Sequence, residues 1–247
     1  MSMVIRDIKD HKLNIDLNKD EIITIFIDDD INIEYKLNNG IYKILVFNNA
    51  NKNISLKENG EIKNSEVTIN YLELNNYEFK HENNIEIYKD SSLDIKTIYL
   101  GTNKKDIKFN LIHKESGSLS HITNNVVCLN DADFNLEVVG KIEKGAKASK
   151  CHQKSRCLTF EKPKRSRILP VLLIDENDVE ASHSLSSGTI DEDVLFYMNS
   201  RGLSKKDALR LFLTSYLMPD DEFYKEYEDG QEVKESARRK VEKICLM

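Results

Sequence analysis

VEASHSLSSGTIDEDVLFYMNSRGLSKKDALRLFLTSYL, residues Val179 to Leu217, is the stretch in which a β-rich chain turns helical. The join carries His183, a run of small and hydroxyl residues, Gly188 and two helix starts. Thr189-Ile190-Asp191-Glu192 has the capping-box spacing, in which the threonine accepts from the backbone at the glutamate and the glutamate reaches back. Ser204-Lys205-Lys206-Asp207 is a weaker form of the same signal. Gly202 stands between them, where a helix ends in a left-handed residue that other side chains resist. The pattern predicts a tight helix-turn-helix. Its second helix places Leu209, Phe212, Leu213 and Tyr216 on one face. That face reads as core of this chain rather than partner surface, so truncating a buried Phe212 to alanine is expected to cost about 3–5 kcal/mol.

Downstream, Met218 precedes Pro219 and is pushed out of the helical region, which stops the second helix. Phe223 to Gly230 is acidic and reads as irregular. A last helix is expected over about Gln231 to Leu246, with Val233, Ala237, Val241 and Ile244 at helical spacing. Its basic cluster Arg238-Arg239-Lys240 falls in the C-terminal half, where the helix dipole favours positive charge.

Upstream, from Glu21 to Val139, short runs alternate Ile, Val, Tyr and Phe with Asn, Lys, Glu and Thr: EIITIFI, INIEYKL, IYKILVF, EVTINYLEL, NIEIYK, LDIKTIYL, DIKFNLI, NVVCL and FNLEVV. A period of two marks strands with one buried face. Of the chain's 24 asparagines, 22 precede residue 136, which points to a region of many tight turns rather than a drift in composition. The turns are expected at Asn38-Asn39-Gly40, Asn48-Asn49, Asn59-Gly60, Asn75-Asn76, Asn83-Asn84 and Asn124-Asn125, because asparagine tolerates the left-handed conformation. Strands recurring about every ten residues fit an antiparallel sandwich or a parallel β-helix, and no repeat of fixed length separates the two. After Val139 small residues take over. Pro163 and Pro170 are expected to frame a loop, since neither can donate from a central strand. The continuous apolar run Val171 to Ile174 predicts the best-buried strand of the chain.

No apolar run is long enough to cross a bilayer, and Met1 to Asp10 is not of signal-peptide type. The cysteines, Cys128, Cys151, Cys157 and Cys245, are sparse, which fits free thiols in a reducing compartment; the cytoplasm is the expected location. A net charge of -6 argues against generic nucleic-acid binding, and the short basic run Lys162, Lys164, Arg165 and Arg167 reads as a solvated loop. No Gly-rich phosphate loop of the GxxxxGK[ST] type is present, so no nucleotide site is expected in this chain.

Ser182-His183 followed by Gly188, Ile190-Asp191, Leu195-Phe196-Tyr197, Ser200-Arg201-Gly202-Leu203 and Ala208 resembles the signature of the SufB/SufD family, the scaffold subunits of the SUF iron–sulfur cluster assembly system. Upstream, His152-Gln153, Arg156, Leu158, Pro170 and Leu172 are similar to the same pattern, which is dense from about Lys147 to Leu217. The resemblance implies a mainly β fold, a right-handed parallel β-helix over 1–187, followed by a small C-terminal α-helical docking segment over 188–247. It implies as partners a SufC-like ATPase on the helical segment and, at the end of the β-helix, a SufB-like scaffold or a second copy of this chain. It also implies a non-enzymatic role around a nascent iron–sulfur cluster, held transiently and shared with a partner chain.

Within that family a SufB-type subunit supplies a core cysteine and has glutamates beside its histidine. Here Ser182 and Ser184 flank His183, and Lys154 or Ser155 stands where the SufB-type cysteine falls, so the chain looks SufD-like. The resemblance makes His183 the cluster-ligand candidate; neutral imidazole is a common metal ligand. Cys151 and Cys157 are the weaker candidates. Six apart, they share a face of an unbroken strand, and buried structural cysteine is their alternative role. Tyr197, Arg201 and Gly202 are candidates for partner docking, or for holding the helical turn against the β body. The rival from another class is a β-helix polysaccharide-binding module or lyase, but the chain has no tryptophan and its ten tyrosines are scattered.

Overall fold

A computed structural model describes residues 2–129, 131–160, 163–189 and 192–245. Strands enter two sheets in strict alternation. The eight-stranded sheet holds β1 (Ser2–Ile5), β3 (Glu21–Ile27), β5 (Ile41–Asn48), β7 (Glu66–Glu73), β9 (Ser92–Gly101), β11 (Leu119–Cys128), β13 (Ser149–Thr159) and β15 (Val179–Thr189), in that order. The seven-stranded sheet holds β2 (Lys12–Leu17), β4 (Ile31–Asn38), β6 (Ile54–Lys63), β8 (Phe79–Ile87), β10 (Lys104–His113), β12 (Asp133–Ile142) and β14 (Arg165–Ile174). Each strand pairs in parallel with the strand two along the chain, for instance β5 with β7 and β10 with β12. This is a parallel β-helix. The coil lengthens along the chain, from 20 residues where Ser2 meets Ile22, to 25 where Ile41 meets Glu66, to 32 where Asp133 meets Arg165. That growth is why no fixed repeat shows in the sequence.

The lumen between the sheets is filled by stacked apolar side chains such as Ile33, Ile44, Ile69, Ile95, Ile107, Phe109 and Phe134, all buried. Each buried side chain of this kind contributes about 1.5–3 kcal/mol. One corner repeats in every full coil: Asn39, Asn64, Asp90, Gly117 and Ala148 all have positive φ, between 48° and 72°. The residue after it is small. Ser65, Ser91, Ser118 and Ser149 are buried there, and at Gly40 a Cβ would fall 2.8 Å from the Tyr42 hydroxyl and 2.9 Å from the Lys19 backbone.

Half of the asparagine pairs are therefore turns, and half are not. Asn59-Gly60, Asn83-Asn84 and Asn124-Asn125 lie inside β6, β8 and β11. Stacked coils place equivalent residues one strand spacing apart, so amides can bond up the stack. Asn59 donates to Glu34 Oε1 (2.8 Å), Asn84 to Asn59 Oδ1 (3.4 Å) and Asn110 to Asn84 Oδ1 (2.6 Å). Reading Asn59-Gly60 as a turn conceals β6 altogether.

The expectation for Val171–Ile174 is overturned. Leu173 and Ile174 are 48% and 39% exposed, because β14 is the edge of its sheet and no further coil covers it among the described residues. Pro170 sits inside β14 rather than framing a loop, on an edge strand, where proline is tolerated.

Four helices follow among the described residues: α1 (Glu192–Ser200), α2 (Lys205–Leu217), α3 (Asp221–Lys225) and α4 (Gly230–Cys245). The Thr189–Glu192 capping box involves residues 190 and 191, outside the described residues. Ser204 does cap α2, its Oγ accepting from the Asp207 amide at 3.1 Å. Gly202 has φ +89°, as the turn requires, and Met218 is extended. Helices α2 to α4 lie on the outer face of the eight-stranded sheet. There Phe26, Leu45, Phe47, Leu72, Leu100 and Val127 form a second core with Leu213, Leu217, Tyr224, Val233, Ala237 and Val241. The segment read as irregular thus contributes α3 and two buried tyrosines, Tyr224 and Tyr227. Phe212 is only half-buried, stacked on Tyr216, so its truncation costs less than a core phenylalanine; Leu213 and Leu217 occupy the buried stripe.

Candidate functional site

The last coil ends the stack, and the site is built there. Inward-facing residues of the eight-stranded sheet form columns set by register. One column runs Ile69, Ile95, Ile122, Gln153, His183. Three buried isoleucines give way to an amide and then to an imidazole, and His183 is exposed because no coil lies beyond β15 among the described residues. The neighbouring columns end Ser120, Cys151, Ala181 and Val126, Cys157, Ser187. His183 and Ser187 thus end their columns where water or a second chain can reach them, beside Ala181 and Leu185.

Beneath His183, Gln153 donates to the Val171 carbonyl (3.1 Å), while its Oε1 is buried without a hydrogen-bond partner among the described residues. Gly140, on the opposite sheet, makes room for this arrangement. A Cβ there would lie 2.4 Å from Cys151 Sγ and 2.9 Å from Gln153 Nε2. His152 faces outward, its Nδ1 2.8 Å from Ser182 Oγ and its Nε2 3.5 Å from Glu180 Oε1. His183 and His152 therefore stand on opposite sides of the wall, although both belong to the same sequence pattern.

Cys151 and Cys157 share the inner face of β13 and are both buried. Burial pushes the Cys151 thiol up, so it stays protonated. Cys157 is lowered from the ordinary thiol value by a hydrogen bond from Cys128, with Ser166 Oγ a further partner at 3.2 Å. Cys128 is raised by the same contact and by burial. Sequence reading gave Cys128 no role; the stacking of β11 on β13 brings it to Cys157. The side chain of Cys245 lies outside the described residues. One coil further in, His113 is buried between Ser118 Oγ and Ser120 Oγ, both 2.8 Å from its ring nitrogens, and burial pushes it down to about 4.

A second surface lies on α1. Phe196 and Tyr197 are 73% and 58% exposed, with Val194 also exposed. The Arg201 guanidinium sits over the Tyr197 ring at 5.2 Å, and Gly202 turns the chain into α2. Arg156 reaches the same helical pair from the β body: its guanidinium lies 5.5 Å from the Tyr216 ring, and Tyr216 donates to the Arg156 carbonyl at 3.5 Å. So Tyr197 and Arg201 pair with each other, while Tyr216 and Arg156 seat α2 on β13.

The family model for the SUF system FeS cluster assembly SufBD core domain matches residues 19–216. The chain belongs to the SufBD core family. The matched span runs from β3 to the end of α2, so it includes the open coil and the α1–α2 turn. Among curated relatives, the chain is similar to the iron–sulfur cluster assembly protein SufD of Bacillus subtilis, with 36% identity over 141 residues, 56% of this chain and 32% of the relative. It is also similar to a SufBD family protein of Pyrococcus horikoshii (35% over 80 residues, 32% of this chain and 18% of the relative). A SufBD family protein of Mycobacterium leprae matches at 26% over 115 residues, 47% of this chain and 13% of the relative. The matches thus span about a third or less of the length of these relatives.

Within this SufBD core no group of three or more His, Cys, Asp or Glu converges to hold a metal ion among the described residues. His183 offers one imidazole at an open end. No helix among the described residues is long and apolar enough to cross a membrane.

Proposed function

We propose that this chain is a SufD-like scaffold subunit which lends His183 to a nascent iron–sulfur cluster and works with a SufC-like ATPase and a second scaffold chain. The observation that carries the reading is the place of His183, on the uncovered last coil of a SufBD core, at the head of a column whose deeper members are buried. A cluster needs several ligands and this end offers one imidazole, so the remaining ligands come from the chain that covers it. The exposed edges β14 and β15, with Leu173, Ile174 and Leu185 turned to solvent, are suited to that chain. Unpaired edges and exposed apolar residues together favour strand-to-strand association.

The ATPase would dock on α1, where Val194, Phe196 and the Tyr197–Arg201 pair stand clear of the chain's own core. Aromatic and arginine side chains of this kind supply the energetic centre of interfaces. The chain itself does no catalysis: it positions cargo, and nucleotide chemistry belongs to the ATPase. The working location is the cytoplasm, where thiols such as Cys151 and Cys157 stay reduced.

Co-purification from the source cell tests the partners, and recovery of neither an ATPase of this class nor a second scaffold chain would sink the proposal. His183→Ala should lower cluster yield in the reconstituted complex, read by the visible absorbance of the anaerobic product, while the circular dichroism of the chain stays unchanged. Undiminished yield would remove His183 from the mechanism. Native mass measurement separates a heterodimer with a SufB-like chain from a homodimer.

A further inference from the structure

Where β7 turns into β8 the wall carries an unusual concentration of ammonium groups. Lys105 is fully buried, and its Nζ is bonded to Glu73 Oε1 (2.6 Å) and to the carbonyls of Asn75 (2.9 Å) and Tyr77 (2.7 Å). Glu73 is occupied in turn by Lys105, the Asn75 amide and the side chain of Asn48. Helix α4 crosses the outside of this corner and brings Lys240 and Lys243 to it. Lys240 Nζ bonds to the neutral Asn75 Oδ1, and neither Lys240 nor Lys243 makes an ion pair among the described residues. Lys240 is held below the ordinary lysine value by burial, with Lys105 and Lys243 adding to the effect and Glu73 and Asp28 opposing it.

A cavity of about 280 Å³ opens at this point, between Asn51, Asn75, Asn76 and Tyr77 on the β side and Lys240 and Lys243 on α4. No carboxylate lines it among the described residues. The cavities at other corners are different. One carries Asp30, Glu78 and Asp106, another Asp20, Glu66 and Asp90. In a chain of net charge -6, a cavity lined by two lysines and three asparagines with no acid runs against the general charge.

We propose that this cavity is a binding site for a small oxyanion of the phosphate class, held by the ammonium groups of Lys240 and Lys243, since the Asn75 amide donors are already taken by the Asn48 carbonyl and Glu73. The chemistry follows from the lining: paired ammonium groups neutralise a dianion, and the neutral asparagines bring no competing charge. The volume admits inorganic phosphate with its remaining hydration. An anion there also relieves the mutual repulsion of Lys105, Lys240 and Lys243, so occupancy ties α4 to the β-helix and stabilises the fold by mass action.

The test is calorimetric titration of the full chain with inorganic phosphate, against chloride at matched ionic strength, with malonate as a carboxylate control. Saturable binding of phosphate in preference to malonate is expected, together with a phosphate-dependent rise in Tm. Lys243→Met lies on the exposed side and should leave the fold intact while weakening phosphate by about tenfold, the effect of one charge-assisted hydrogen bond. Lys243→Arg should retain binding. Absence of saturable binding, malonate bound as well as phosphate, or an affinity unchanged in both Lys243→Met and Lys240→Met would each overturn the site.

Discussion

The middle of the β-helix and its last coil are built from the same strand pairing, yet they treat polar groups in opposite ways. In the middle, Glu58 is fully buried and saturated. Its Oε1 accepts from the Tyr35 hydroxyl (2.7 Å), and its Oε2 from the Tyr71 hydroxyl (2.7 Å), His81 Nε2 (2.6 Å) and Asn83 Nδ2 (3.0 Å). Burial is the largest influence on Glu58 and opposes its charge, but these donors together hold it below the usual carboxylate range. The Tyr71 and Tyr99 phenols, buried beside that carboxylate, are raised and remain donors. At the last coil His183 and the exposed edges β14 and β15 are left without that enclosure. A buried carboxylate filled by four donors helps to specify one structure, whereas polar and apolar groups exposed at an uncovered end are a place for something else to bind.

The contrast is broken most severely by removing its sealed member. Glu58→Ala strands four donors in the lumen and is expected to cost about 3–5 kcal/mol by chemical denaturation, as the loss of one partner from a buried charged network does. His183→Ala, in the same assay, should fall within about 0.5 kcal/mol of the parent, as for other exposed positions. Equal losses at the two sites would erase the distinction.

Acid should act on the sealed region next. His113 is neutral in the fold and reaches about 4 only because burial disfavours its charge. The unfolded chain takes up that proton near pH 6.5, so the stabilisation is fully present above that value. It declines as pH falls and is gone below about 4, a change on the order of 3 kcal/mol. Glu58 acts in the same sense at lower pH: its depressed value gives stability above the unfolded carboxylate range that is lost as pH falls through the folded value. Denaturation midpoints between pH 7 and 4 should therefore drop, and His113→Gln should flatten the upper part of that slope.

At the boundary between the regions, Gly140→Ala places a methyl against Cys151 and Gln153 and is expected to cost about 1–3 kcal/mol by overpacking. If the lumen there were already loose, the thermal midpoint would not move. The smallest effect belongs to the open end: Leu185→Ser, at a side chain 45% exposed, should shift stability by less than about 0.5 kcal/mol while weakening self- or hetero-association measured by sedimentation.

Most strands were legible because period-two alternation survives wherever one face is buried, while their parallel coiling was implied only by the family resemblance. EIITIFI and INIEYKL coincide with β3 and β4 almost residue for residue. The polar lumen was not legible, since Glu58, His81 and Asn83 look like solvent-facing residues in a strand pattern. Neither was β6, whose Asn-Gly pair carries a turn signal that stacking overrides. For the candidate site, Ser182-His183 and the Tyr197-to-Gly202 turn were visible as a pattern. The Cys128–Cys157 contact was not, because it joins residues 29 apart through coils of uneven length.

By itself the sequence determined the strand and helix periods, the helix-turn-helix around Gly202, and the family pattern that places His183 before it. Those are local properties, fixed by side-chain chemistry within a few residues. Only the tertiary structure decided which polar residues are sealed and which are presented. That depends on whether a further coil covers them, as it covers Glu58 and fails to cover His183 and the apolar run Val171–Ile174.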